Sequence, residues 1–159
     1  VIGASLENKV KGRRADVILA AYNAAQSTLR LVKDGKGNYG VTEAVQKIAE
    51  SYKCKPIEGM LSHQIKQFKI DGEKTIIQNP TAAQKKEHEK SDFENYEVYA
   101  MDVLVSSGEG NGKELDTKVS IYKKTDVNYL LKLKASKAFY SEVRFTFGTK
   151  WKMEQFPAR

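Results

Sequence analysis

Between Arg14 and Val32 the apolar residues recur every three or four positions, and after Pro56 that rhythm gives way to a shorter one. Any fold for this chain must therefore place helix before strand. Val17, Ile18, Ala21, Ala24, Ala25, Leu29 and Val32 have the spacing of a core-facing amphipathic helix, and Lys33-Asp34-Gly35 supplies its stop. The alanine-rich face permits close packing on a sheet or a second helix, while Arg13, Arg14 and Arg30 read as solvated charge. Residues 35–40 hold three glycines and an asparagine and read as a loop. Thr42 then offers a side-chain oxygen to cap a second helix that carries Ala44, Val45, Ile48 and Ala49 and runs to about Tyr52.

Beyond Pro56 and Gly59, His63 to Ile70 alternates imperfectly, and Thr75-Ile76-Ile77 is followed by the turn signal Asn79-Pro80. Thr81 to Asp92, rich in Lys, Glu and Gln, reads as exposed whether it is a solvated helix face or an excursion. Glu97 to Val105 gives the clearest strand. It sets Val98, Ala100, Asp102 and Leu104 on one face and Tyr99, Met101, Val103 and Val105 on the other. A strand apolar on both faces is expected to be central, and a carboxylate at Asp102 would then need hydrogen bonds, a cation or water. Ser106 to Gly112 reads as a glycine-rich turn, Thr117–Lys123 and Tyr129–Leu133 as further strands, and Ser136 as the cap of a closing helix through Val143. Two helices, a strand-rich stretch and a final helix argue for an α+β fold.

The 159 residues suit one core, and neither an internal repeat nor a long linker divides them. No apolar run approaches the roughly 20 residues that cross a bilayer, and Val1 to Val10 lacks a basic segment followed by a signal-like apolar stretch, which argues against membrane insertion and secretion. The single cysteine, Cys54, has no partner for an internal disulfide and reads as a small buried apolar residue. A net charge of +7 favours polyanionic partners through phosphate neutralisation. The glycine run at 108–112 lacks the lysine-serine or helix-opening glycine of a nucleotide loop. His63 and His88 are the only histidines, with no metal-ligand spacing around them.

Two segments carry more. Ser62-His63-Gln64-Ile65-Lys66-Gln67-Phe68-Lys69-Ile70-Asp71-Gly72-Glu73-Lys74-Thr75 and Tyr96-Glu97-Val98-Tyr99-Ala100-Met101-Asp102 together resemble the methionine aminopeptidase, or pita-bread, family. In type II enzymes the first segment bears a metal-binding histidine, matched by His63, and a substrate-contacting histidine, replaced here by Asp71. The second ends in a metal-binding glutamate, replaced here by Asp102, one methylene shorter. The remaining enzyme ligands, an aspartate pair and a last glutamate, would fall before Val1 and after Arg159. The resemblance therefore implies no catalytic residue, no cofactor and no metal, with His63 and Asp102 as vestigial ligand positions and Asp71 as a vestigial substrate position.

The non-catalytic branch is matched more closely. Gly12-Arg13-Arg14-Ala15-Asp16-Val17, Leu29-Arg30-Leu31-Val32-Lys33, Pro56-Ile57-Glu58-Gly59-Met60-Leu61-Ser62-His63, Asp71-Gly72-Glu73-Lys74-Thr75-Ile76-Ile77-Gln78-Asn79-Pro80 and Asp102-Val103-Leu104-Val105-Ser106-Ser107-Gly108-Glu109-Gly110 are similar to the proliferation-associated, ErbB-receptor-binding family. The match covers residues 1–143 as the central part of a pita-bread (creatinase-like) domain. Residues 144–159 read as a divergent or irregular tail, although Phe147-Gly148-Thr149 extends the likeness.

The resemblance implies cytoplasmic and nuclear or nucleolar residence, association with RNA and ribosomes, regulation of growth and translation, and protein partners such as a receptor cytoplasmic tail or transcriptional corepressors. Lys66, Lys69, Lys85, Lys86, Lys123, Lys124, Lys132, Lys134 and Lys137 are the candidate phosphate contacts. Two rival readings stand beside this one. The first is an active metal-dependent aminopeptidase in which Asp102 still coordinates. The second is a protein-recognition scaffold without RNA binding.

Overall fold

The computed structural model describes residues 7–67, 69, 71–113, 115–118 and 130–154, with side chains to residue 146. Two compact units divide the chain, Val1–Leu115 and Asp116–Arg159.

The first unit opens with α1 (Arg13–Leu31) and α2 (Asn38–Ser51). The residues of α1 that reach the core are Ala20, Ala24 and Thr28, one turn apart, all fully buried. They differ from the expected set: Leu29 is 62% exposed. Small side chains let α1 lie close to α2, which buries Val41, Val45 and Ala49 on the facing stripe. Ala24, Val41, Val45, Ile76 and Phe93 form one cluster, and Ala20, Ala49 and Cys54 a second, so Cys54 is the buried apolar residue expected.

Thr42 does not cap α2. The helix starts four residues earlier, after an extended Gly37, and Thr42 is a buried helical residue whose hydroxyl donates to the Ile77 carbonyl at 2.7 Å. That bond ties helix to sheet. At the other end the chain leaves α2 through Lys53, left-handed at φ 54°. The Lys53 amide donates to Glu50 O at 2.8 Å and that of Cys54 to Ala49 O at 2.9 Å. The Arg13 guanidinium closes this turn from across the unit, donating to Tyr52 O at 2.6 Å, to Lys53 O, and to Ser107 O at 3.3 Å. Arg13 is thus a clamp as well as surface charge.

A three-stranded antiparallel sheet of order β3-β2-β4 joins β2 (Leu61–Ile65), β3 (Thr75–Ile77) and β4 (Val98–Ala100). A separate antiparallel pair joins β1 (Lys55–Pro56) to β5 (Val105–Ser106). The single long strand expected over 97–105 is therefore two short ones. It is also not central, since among the described residues β4 has only β2 beside it. The expected alternation of faces holds: Tyr99, Met101 and Val103 pack on the core, while Val98, Ala100, Asp102 and Leu104 are exposed. Between β3 and β4 in the chain, α3 (Ala82–Glu87) opens on a capping box in which Thr81 and Gln84 satisfy each other's backbone amides, and it buries no residue. Exposure of this stretch agrees with the sequence reading.

In the second unit α4 spans Lys134–Glu154, so Ser136 lies inside the helix and the helix continues through residues read as an irregular tail. Thr117, Lys118 and residues 130–133 are not strand, so the second strand expected there does not form over its described residues, and the remainder of the two, residues 119–123 and 129, lies outside the described residues.

Candidate functional site

Strand β2 is the axis along which the three family positions fall. His63 is paired with Thr75 on β3 and Ala100 on β4, so its side chain shares the sheet face of those residues, away from the buried Ser62 and Gln64. It is half-buried, and its Nδ1 lies inside without a hydrogen-bond partner among the described residues.

Asp102 lies two residues past the end of β4, and its main chain is what the protein holds. Its amide donates to Ser62 Oγ at 2.9 Å, and its carbonyl accepts from Gln78 Nε2 at 2.9 Å and Ser62 Oγ at 3.3 Å. Ser62 and Gln78 are each 2% exposed, so this fixing is done from the interior while the Asp102 residue itself is exposed. The carboxylate expected to need burial partners does not need them, because Asp102 is exposed. Asp71 lies at the other end of β2: the Gly72 amide donates to Gln64 O at 2.6 Å, a backbone approach that a side chain at Gly72 would obstruct, and this seats Asp71 by the strand's exit.

His63 and Asp102 thus come from neighbouring strands, with Asp71 displaced along the hairpin. Among the described residues no group of three or more His, Cys, Asp or Glu side chains could hold a metal ion. A catalytic zinc site takes three protein ligands plus water, and two ligand types with a shortened acid do not fit one.

The lysines divide into distinct settings. Lys66 and Lys69 face each other across an isolated bridge and share one carboxylate, Glu73, at 3.4 and 3.9 Å. Half their charge is answered within the hairpin. Lys85 and Lys86 end α3, both exposed, with Lys85 Nζ 5.8 Å above the Tyr39 ring centroid. Tyr39 also meets His88 edge-on at 5.6 Å, and His88 bonds Thr75 Oγ1 at 2.8 Å. Burial, where α3 rejoins the core, pushes the His88 imidazole below its usual pKa against the opposing pull of Glu89. Lys132, Lys134 and Lys137 belong to the second unit, and all are exposed. Lys134 and Lys137 crowd the first turn of α4, where no acid balances the positive helix end. Lys123 and Lys124 lie outside the described residues.

The sequence reading missed the polar centre of the sheet. Glu97, its side chain 12% exposed, accepts from Gln64 Nε2 at 2.9 Å, from the Glu94 amide at 2.9 Å and from the Tyr99 hydroxyl at 3.0 Å, and pairs with Lys74 at 2.8 Å. Lys74 also reaches Glu94 at 2.6 Å and Asp92 O at 2.8 Å. Burial alone would raise the Glu97 carboxyl, but the bonds from Lys74, Glu94 and Tyr99 outweigh it and hold it below its ordinary value. Glu94 and Glu97 in turn hold Lys74 well above the usual lysine range, and burial with the Glu97 bond pushes the Tyr99 hydroxyl up to about 12. The spacing of Glu97 and Tyr99 on one strand face was a signal for this node. Lys74 and Gln64 needed the register.

These elements in this order make a partial pita-bread domain of the methionine aminopeptidase-like class. The structure resembles that of a thermophilic Arx1 with a TM-score of 0.77 and 26% sequence identity, over 93% of this chain and 44% of that one. In sequence the chain is 49% identical over 143 residues to the curved DNA-binding protein of Schizosaccharomyces pombe, a match over 89% of this chain and 38% of that protein. It is 48% identical to the ERBB-3 binding protein 1 of Arabidopsis thaliana, over 89% of this chain and 36% of the relative. To proliferation-associated protein A of Dictyostelium discoideum it is 36% identical, over 90% of this chain and 37% of the relative. No family model matches. The chain belongs to the proliferation-associated, ErbB-binding family, and it spans somewhat over a third of the length of these curated relatives.

Proposed function

We propose that this chain is part of a non-catalytic pita-bread protein that binds RNA, ribosomes and protein partners and so regulates growth, ribosome biogenesis and translation, in the cytoplasm and in the nucleus or nucleolus. The observation that carries the reading is Asp102. The protein grips its backbone from two buried side chains and leaves the residue exposed. A metal ligand would be the reverse case, with its carboxylate the fixed group. The excess of positive charge and the exposed Lys85-Lys86 pair favour a polyanion. The names of relatives, a curved DNA-binding protein and an ERBB-3 binding protein, support nucleic-acid and protein partners respectively.

The test is titration of labelled ribosomal RNA at several salt concentrations. Log affinity should fall linearly with log salt, and Lys85→Glu with Lys86→Glu should reduce the slope by about two. Salt-insensitive binding, or none, overturns the RNA reading and leaves the protein-recognition one. Calorimetry with cobalt, and release of methionine from a short peptide, test the aminopeptidase rival: tight metal uptake with turnover would establish it. Imaging of a tagged protein tests the compartments.

A further inference from the structure

The outward face of α1 is built to a different rule from its inward face. Ala15, Leu19, Tyr22, Gln26 and Leu29 follow one another at spacings of four, three, four and three. This is the spacing that the seam of a two-stranded coiled coil uses, with an average period of 3.5 residues. The core-facing set, Ala20, Ala24 and Thr28, lies on the other side of the helix. Leu19, Tyr22 and Leu29 are exposed to 48%, 61% and 62%. Isolated exposed leucines need no explanation, but an aligned set along a 19-residue helix, about 28 Å in length, does.

The charge around the seam is one-sided. Arg14 and Arg30 are exposed on opposite rims near its two ends, and Lys33 continues its line past the helix terminus. Arg30 donates from Nη1 to Gln26 O at 2.7 Å and to Gln26 Oε1 at 3.3 Å, within its own helix, and these bonds use one of its guanidinium nitrogens. The nearby acids are engaged elsewhere: Asp16 pairs with Arg13 at 3.8 Å, and Asp34 accepts from Asn95 at 3.0 Å.

We propose that the outer stripe of α1 is a docking surface for an amphipathic helix of a protein partner, one with an apolar seam and acidic flanks. Leu19, Tyr22 and Leu29 supply the apolar contact. Gln26, polar at a seam position, sets the register, and Arg14 and Arg30 select acidic flanking residues. Two heptads make a short seam, so binding is weak, on the order of tens of micromolar. This surface is distinct from the lysines assigned to RNA.

The experiment titrates the folded chain with a synthetic helical peptide of about three heptads, with leucine at its seam positions and glutamate on both flanks. Two controls accompany it: the same peptide with lysine flanks, and a glutamate peptide of the same composition with its seam scrambled. The expected result is binding of the first peptide alone. Leu29→Glu should weaken it at least about tenfold, and Arg30→Glu should weaken the acidic peptide while admitting the lysine one. Both positions are exposed, so circular dichroism should show the variants folded, and their RNA titration should match the parent's. The proposal is overturned if the seam peptide does not bind, if the scrambled peptide binds as well, or if Leu29→Glu has no effect. It is equally overturned if sedimentation shows a dimer that Leu29→Glu dissociates, since a second copy would then be the occupant.

Discussion

Lys53 and Arg13 show how single side chains decide a turn. A left-handed residue after a helix is usually glycine, and a residue with a Cβ there costs roughly 1–2 kcal/mol. Here the Arg13 guanidinium secures that turn through the Tyr52 and Lys53 carbonyls. Lys53→Gly should therefore leave stability unchanged or raise it by up to about 1 kcal/mol, whereas Arg13→Ala should lower it by about 1 kcal/mol, both read from urea midpoints. Glu97 is the second case. Its carboxyl is held below its ordinary value near 4.5, so its contribution is complete above that pH and is lost as pH falls through the lowered folded value. Glu97→Gln should cost about 1–3 kcal/mol at neutral pH and flatten the loss of stability on acidification, measured by denaturant titration across the acid range. Beyond the spacing of Glu97 and Tyr99, neither arrangement was legible in the sequence beforehand, because each joins residues that only the fold brings together. The sequence does show Arg13, Lys53 and Glu97 as charged residues; it does not show what they hold.

Within the elements, periodicity was a good guide and boundaries were not. The alternation over Glu97–Val105 correctly separated Tyr99, Met101 and Val103 from Val98, Ala100, Asp102 and Leu104, yet the second face is bare. Apolar identity states what a face prefers to touch, and only the presence of a neighbour makes it buried. The same gap misplaced Leu29, and it hid Thr42, whose hydroxyl serves a carbonyl on another element. The bare and packed faces of β4 should respond differently to substitution. Val98→Thr should change stability by less than about 0.5 kcal/mol, whereas Tyr99→Ala, which loses ring packing on Phe93 at 5.2 Å and a bond to Glu97, should cost about 3–5 kcal/mol. Paired urea melts of the two variants decide this.

For the molecule as a whole, the class of fold was legible because long strings of residues resemble a known family, and the α+β order agreed with it. The family positions were legible for the same reason: His63 lies on β2, Asp102 is held against it through Ser62, and Asp71 precedes the Gly72 that bonds Gln64. Their disposition was not, since exposure of Asp102 depends on what packs over its face. Stability also belongs to this scale. The strands of the main sheet are five, three and three residues long, and Leu115, Leu130, Leu133, Phe139 and Phe145 all remain largely exposed. Little apolar area is removed from water per ordered residue, so the isolated chain should melt below about 60 °C, followed by far-ultraviolet circular dichroism; a single sharp transition well above that would contradict this account.

Among the described residues β4 has one free margin, and this bears on how the polypeptide behaves in a test tube. Its main-chain amides and carbonyls run alongside the exposed, uncharged Val98 and Ala100, with Asp102 beyond the strand's end as the charge on that face, and such a margin templates further strands from other molecules. Concentrated solutions should cloud on standing, and a lysine introduced by Ala100→Lys should keep them clear, because a row of repelling ammonium groups cannot stack.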